Sequence, residues 1–343
     1  MSRARTSIAL PVLGLLLAAA MIAATGFGAE TISPGAVVEV LRHRIGGLAP
    51  SDLGLDTIVW QLRVPRTLLA AVVGAGLALA GAAMQTLVRN PLADPYLLGV
   101  SSGAGVGAAA VITSGFFAAA GLWALSAGAL AGALTAAAAV FAIAVAQGGL
   151  TPLRLVLTGT VLGSMFAALS SYLIFRSTDP AAAQSVLFWL LGSLAGADWT
   201  RIALPATVVA ICALTLMAST SWLDALSMGA DTAASLGVPV RELRIGLFVL
   251  LAVLVGVLVA VSGGIGFVGL VVPHAARLLV GPRHRVLLPV CALCGALFLV
   301  LADAATRVLV RPTEIPVGVL TGLIGAPVFL LLMGRRRYRF GAA

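Results

Sequence analysis

The sequence contains no lysine; all 21 of its permanently positive side chains are arginines. A phosphate-binding loop ending in Gly-Lys-Ser/Thr is therefore excluded, and any nucleotide this chain depends on is bound by another one. Charge of either sign is scarce. Charged residues make up 10% of the 343 positions and aromatics 6%, against 61% hydrophobic. A soluble domain carries about 25% charged residues, and without them its surface cannot be coated. The three cysteines, Cys212, Cys291 and Cys294, all lie in apolar runs. Cys291 and Cys294 have C-x-x-C spacing, but CALCGALFLVLA around them reads as a spanning helix, so small packing residues are favoured over a redox or metal pair.

What the chain does have is a succession of apolar runs, each near the ~20 residues that a bilayer crossing requires. Ten spans are expected, at 8–28, 64–88, 94–113, 117–146, 152–175, 200–220, 243–262, 266–281, 286–307 and 314–333. The class is all-α and polytopic, a single membrane domain over 1–343. The net charge of +9 does not indicate nucleic acid, because the arginines sit in small groups between apolar runs. The first run, after MSRARTS, is longer than the ~7–15-residue core of a secretory leader and reads as a retained helix. With the N-terminus inside, thirteen arginines fall in inner segments and eight in outer ones. That asymmetry, with RRRYR near the C-terminus, puts both ends in the cytoplasm. Eight outer arginines are still a surplus.

Two connections are too polar to be spans. Residues 29–62, with VVEVLRHRI and TIVWQLR, form an outer segment holding a short surface helix. Residues 221–242, SWLDALSMGADTAASLGVPVRE, form the longest inner loop, in which Leu, Met and Val punctuate polar residues, so it reads as a short helical structure presented to a partner. VVGAGLALAGAAMQTLVRNP (72–91) overlays LVGVLVAVSGGIGFVGLVVP (254–273) at five positions, either an inverted repeat or a coincidence in a Gly- and Ala-rich chain.

Two motifs imitate enzymes. Gly99-Val100-Ser101-Ser102-Gly103 matches G-x-S-x-G but lacks the strand–turn–helix that a nucleophile elbow needs. Gly264–Gly269 matches G-x-G-x-x-G without the βαβ context. Ionisable residues such as Asp94, Asp303, Arg307 and Glu314 lie near span ends, none at a span centre. An ion-coupled carrier usually has such a group at bilayer depth, so an external energy source is favoured over that rival, and over a membrane-embedded enzyme.

Seven ordered stretches then resemble one family: QLRVPRTLLAAVVGAGLALAGAAMQTLVRNPLADPYLLGVSSGAG, LFWLLGSLAGADW, DTAASLGVPVRELR, SGGIGFVGLVVPHAARLL, HRVLLP, LADAATR and EIPVGVLTGLIGAPVFLLL. They are similar to FecCD-type permeases, the membrane subunits of bacterial ABC importers for iron–siderophores, haem and vitamin B12. The resemblance implies the type II importer permease fold, ten helices per subunit, an inner-membrane location and a homodimer around one pathway. It also implies a substrate-binding protein outside and two ATPases inside; ATP and Mg belong to the ATPases, and this chain binds no cofactor or metal and catalyses nothing. Arg63, Arg66 and Arg307 match the positions that meet glutamates of the binding protein, the competing reading being arginines that reach to headgroups. The 221–242 segment matches the coupling loop, with Ser235 and Gly237 in its centre. Leu236, Val238 and Pro239 would enter a groove on the ATPase, with Asp231, Arg241 and Glu242 pairing at its rim. The path would be lined by Thr158, Ser164, Met165 and Ser171 on the fifth span, the helix near 181–195 and the last span, with Thr151, Pro152 and Leu153 at the inner gate. The alternative is that these hydroxyls bond to their own helix. An iron chelate, siderophore or haem, is the first expectation for cargo, and vitamin B12 the second.

Overall fold

The computed structural model describes residues 3–28, 30–49 and 52–334; the RRRYR cluster at 335–339 lies outside them. Among the described residues every regular element is helical. The chain runs through α1 (Arg3–Gly26), α2 (Pro34–Ile45), α3 (Leu53–Asp56), a π-helical stretch (Thr57–Arg63) and α4 (Val64–Leu87). It continues through α5 (Val100–Ser114), α6 (Ala124–Ala146), α7 (Pro152–Arg176), α8 (Pro180–Leu190) and α9 (Ala203–Ala218). Last come α10 (Thr220–Met228), α11 (Ala230–Ser235), α12 (Val240–Ser262), α13 (Val268–Val280), α14 (His284–Thr306) and α15 (Val317–Gly334). Seven stretches are long and apolar enough to cross a membrane, and with the shorter apolar helices α5, α13 and α15 they fill the ten expected spans. At 11 residues, α8 reaches only about 16 Å and does not cross.

The second span is longer than expected. Leu53–Leu87 forms one helical rod of 35 residues, so TIVWQLR extends α4 instead of belonging to an outer loop. Two contacts hold it. Val59 is fully buried with Val37 and Val40 of α2. The Trp199 indole donates to the Trp60 carbonyl at 2.8 Å, with the two rings 4.7 Å apart. The short helix expected in 29–62 is α2, started by the Ser33 hydroxyl accepting from Ala36 N–H and by Pro34 at its first position.

The rod formed by α4 is the axis of the bundle, packing against α9, α12, α13 and α14. Its contact with α14 is backbone on backbone. A Cβ on Gly74 would sit 2.2 Å from the Gly295 carbonyl oxygen, so no side chain fits between these helices there.

Polar breaks interrupt the bundle twice. After α4, Asn90 accepts from Leu92 N–H, and Asp94 accepts from Tyr96 N–H at 2.8 Å to start a short 3₁₀ turn before α5. After α12, residues 263–267 are non-helical. The Tyr96 hydroxyl joins the breaks, donating to Ile265 C=O and accepting from Ile265 N–H, both at 3.0 Å. At this second break the two copies of the 72–91/254–273 overlay differ in local structure. Gly81 lies inside unbroken helix, while its counterpart Gly263 ends α12 at φ 66°.

Candidate functional site

At one end of the bundle, the first turn of α4 meets the last turns of α1 and α14. Arg63 donates to the carbonyls of Thr25 (3.2 Å), Gly26 (2.8 Å) and Glu30 (2.7 Å), capping α1. Arg66 grips Asp303 through Nε at 2.9 Å and Nη2 at 2.9 Å, and Glu314 through Nη1 at 2.8 Å. Arg307 donates to Phe27 C=O at 3.1 Å and lies 3.0 Å from the second oxygen of Asp303. The three arginines predicted as a set are therefore together. They line one cleft of about 670 Å³ with Gly28, Ile58, Leu62, Ala195 and Ala197. Their state differs from an array of free cations, because Arg63 and Arg307 are buried and each has protein acceptors. Asp303, which holds Arg66 and Arg307, and Glu314, which holds Arg66, have no docking role in the sequence reading. The only signal for them was opposite charge at neighbouring span ends.

Two further outer arginines are also paired within the chain. Arg44 donates to Asp56 at 2.7 Å, and this bond holds its guanidinium proton above the usual range. Arg201 pairs with Asp198 at 3.2 Å.

The 221–242 segment is helical, as its pattern suggests. It is α10 and α11 joined at Gly229, and α12 already begins at Val240, so Arg241 and Glu242 lie in the first turn of a long helix. The end of α11 explains the Ser-Leu-Gly-Val-Pro sequence. Gly237 (φ 78°) donates to Ala234 C=O at 2.9 Å and Val238 to Ala233 C=O at 3.0 Å. That is a Schellman cap, which needs a residue comfortable at positive φ and packs the residue after it back on the helix. Val238 is accordingly buried with Ala233 and cannot enter a partner's groove, which corrects the sequence reading. Leu236, 63% exposed, points outward, and Asp231, Ser235 and Pro239 are exposed around it.

The expected gate and the end of this segment meet. Thr151, whose hydroxyl caps α7 by accepting from Arg154 N–H, lines a cleft of about 530 Å³ with Gly148, Leu150, Arg241 and Arg244. Pro152 takes the first position of α7 and Leu153 is exposed. Further along α7, Ser164, Met165 and Ser171 lie on an exposed face with Leu157, Val161, Tyr172 and Phe175. Thr158 does not. It is buried, so in this structure it cannot line a path, and its neighbour Gly159 abuts the Leu97 carbonyl. Ser164 and Ser171 donate to the carbonyls of Thr160 and Ala167, leaving their lone pairs facing outward. No ionised side chain lies between Arg154 and Arg176. The G-x-S-x-G serines open α5 from Gly99, and among the described residues no group of three His, Cys, Asp or Glu could hold a metal ion.

Among known families, the FecCD transport family matches residues 15–335. The chain belongs to this family. Among similar FecCD-family proteins, the cobalamin import system permease protein BtuC of Halobacterium salinarum is 38% identical over 359 residues, 95% of both chains. The vitamin B12 import system permease protein BtuC of Salmonella paratyphi A is 44% identical over 282 residues, 81% of this chain and 84% of that one. A solved structure described as an inward-facing conformation of a metal-chelate type ABC transporter matches with a TM-score of 0.84 at 34% identity, over 95% of this chain and 99% of the other. The chain is thus a multi-pass FecCD permease with the fold of a type II ABC importer.

Proposed function

We propose that this permease carries a corrinoid of the vitamin B12 class, ahead of the iron chelate first expected. The observation that carries this reading is the pair of cobalamin and vitamin B12 permeases, 38% and 44% identical to it over most of its length. The exposed face of α7 supports it. A wall of Leu, Val, Met, Ser and Tyr without an ionised group suits a bulky solute whose periphery is mostly neutral amide. It offers nothing to the carboxylates of haem or of an anionic siderophore. The 34% identity to a metal-chelate type transporter fits either cargo, since a corrinoid is a cobalt chelate.

In this reading two copies of the chain enclose the path in a bacterial inner membrane, both termini in the cytoplasm. The α7 face lines the path, with Thr151, Pro152 and Leu153 at its inner gate. A binding protein docks over the cleft at Arg63, Arg66 and Arg307, where acidic side chains would compete for guanidinium donors held by Asp303 and Glu314. Two ATPases, which bind ATP and Mg, dock on α10–α11, with Leu236 as the apolar anchor and Asp231, Ser235, Arg241 and Glu242 around it. Residues 29–62 then form the outer connection, partly built into the α4 rod.

The test is uptake by the permease in liposomes with its ATPase and binding protein. ATP-dependent accumulation of cobalt-labelled cyanocobalamin, with little of iron-labelled siderophore or haem, is expected. ATP-dependent uptake of an iron chelate without cobalamin would overturn the assignment.

A further inference from the structure

The residues that join α10 to the bundle have no role so far. Asp224 on α10 accepts two hydrogen bonds from His284, the first residue of α14. One comes from the backbone N–H at 2.9 Å and one from ring Nδ1 at 2.6 Å. Arg283, the cap residue of α14, makes no side-chain cap of its own, so the carboxylate of another helix caps α14. On its far side the buried His284 ring places Nε2 2.8 Å from the Thr86 hydroxyl of α4.

Proton counting constrains this chain. A carboxylate only accepts, so Nδ1 must carry a proton. Thr86 has one proton, given either to Ala82 C=O, 3.0 Å away, or to Nε2. In the first case the ring is an imidazolium donating both ways, and in the second it is neutral. Both arrangements keep His284 bonded to Asp224 and to Thr86. The connection spans three helices across sequence separations of 60 and 198 residues.

The same two helices reach the arginine cleft at their other ends. Arg66 lies in the first turn of α4 and Thr86 in its last, while α14 runs from His284 to Asp303 and Thr306. The Gly74–Gly295 contact lies between those ends. At the α10 end, buried Leu223 and Leu226 seat the helix, but Asp224 and His284 supply its charged, directional attachment to α14.

We propose that Asp224, His284 and Thr86 form the joint through which docking at the arginine cleft is passed along α4 and α14 to α10–α11 and so to the ATPase. The three are positioning residues, since none touches substrate. The inference rests on the docking and coupling assignments made above.

The experiment measures ATP hydrolysis by the full permease–ATPase complex with and without the binding protein. Asp224→Ala and His284→Ala should keep basal hydrolysis but lose about tenfold of the stimulation, the worth of one charge-assisted hydrogen bond. The double variant should fall no further, because the pair acts as one unit. Asp224→Asn, which keeps an acceptor oxygen, should recover most of the stimulation, whereas a merely structural role would lower basal and stimulated rates together. Unchanged stimulation in Asp224→Ala overturns the proposal. If the alanine variants do not assemble, Thr86→Val decides, and full stimulation in it overturns the joint equally. Leu236→Glu separates the two readings. If it still binds the ATPase, the coupling assignment fails, whatever the joint variants show. An unmodified complex that its binding protein does not stimulate removes the signal, and the joint with it.

Discussion

Asp303 is fully buried, with Arg66 and Arg307 on its two oxygens, whereas Glu314, the other partner of Arg66, is half exposed. The two carboxylates therefore differ in weight. Removing one partner of a buried ion pair strands the other charge and costs about 3–5 kcal/mol. Removing an exposed partner costs about 0–1 kcal/mol. Asp303→Asn should therefore lower the thermal midpoint of the detergent-purified protein by several degrees, and Glu314→Gln should leave it nearly unchanged. Equal shifts would mean that Asp303 is not the electrostatic centre of the cleft. At this scale the sequence was half legible. Arg63, Arg66 and Arg307 are singled out by the family resemblance of QLRVPRT and LADAATR, since eight arginines fall in outer segments and position alone does not distinguish these three. Asp303 is not, because its partner Arg66 is 237 residues away and nothing local records the pairing.

The helices were more legible than their ends. A run of apolar residues reports a span directly, and all ten spans correspond to helices. Boundaries failed where tertiary contacts outvoted polarity. TIVWQLR looks like loop, yet it is helical because Val59 and Trp60 find cover on α2 and Trp199. In 221–242 the pattern disclosed an exposed segment but not the Schellman cap that turns Val238 inward. The α4–α14 contact gives a prediction at this level. Gly74→Val should cost at least about 1–3 kcal/mol through overpacking, read as a lower thermal midpoint and less folded protein on size exclusion. Gly246→Val on α12, where nothing lies within 4 Å, serves as the comparison and should be tolerated. Equal tolerance would show that the two helices are free to separate.

For the whole molecule, a single chain leaves α7 with Met165, Tyr172 and Phe175 exposed beside hydroxyls, the face proposed above to line a path shared by two copies. Copies carrying two different tags and produced together should co-purify, at twice the 34.5 kDa mass of one chain. Recovery of only one tag, with a related permease in its place, would replace the homodimer by a heterodimer. One detail of α11 bears on how such transporters diversify. Because the turn closing α11 is held by its own backbone and by Val238, the outward residues Asp231, Ser235 and Leu236 can vary without disturbing the bundle. On the docking role proposed above, the segment is an adaptor that selection can retune for a new motor while the cargo route stays as it is, and grafting it between relatives is the natural way to exchange one engine for another.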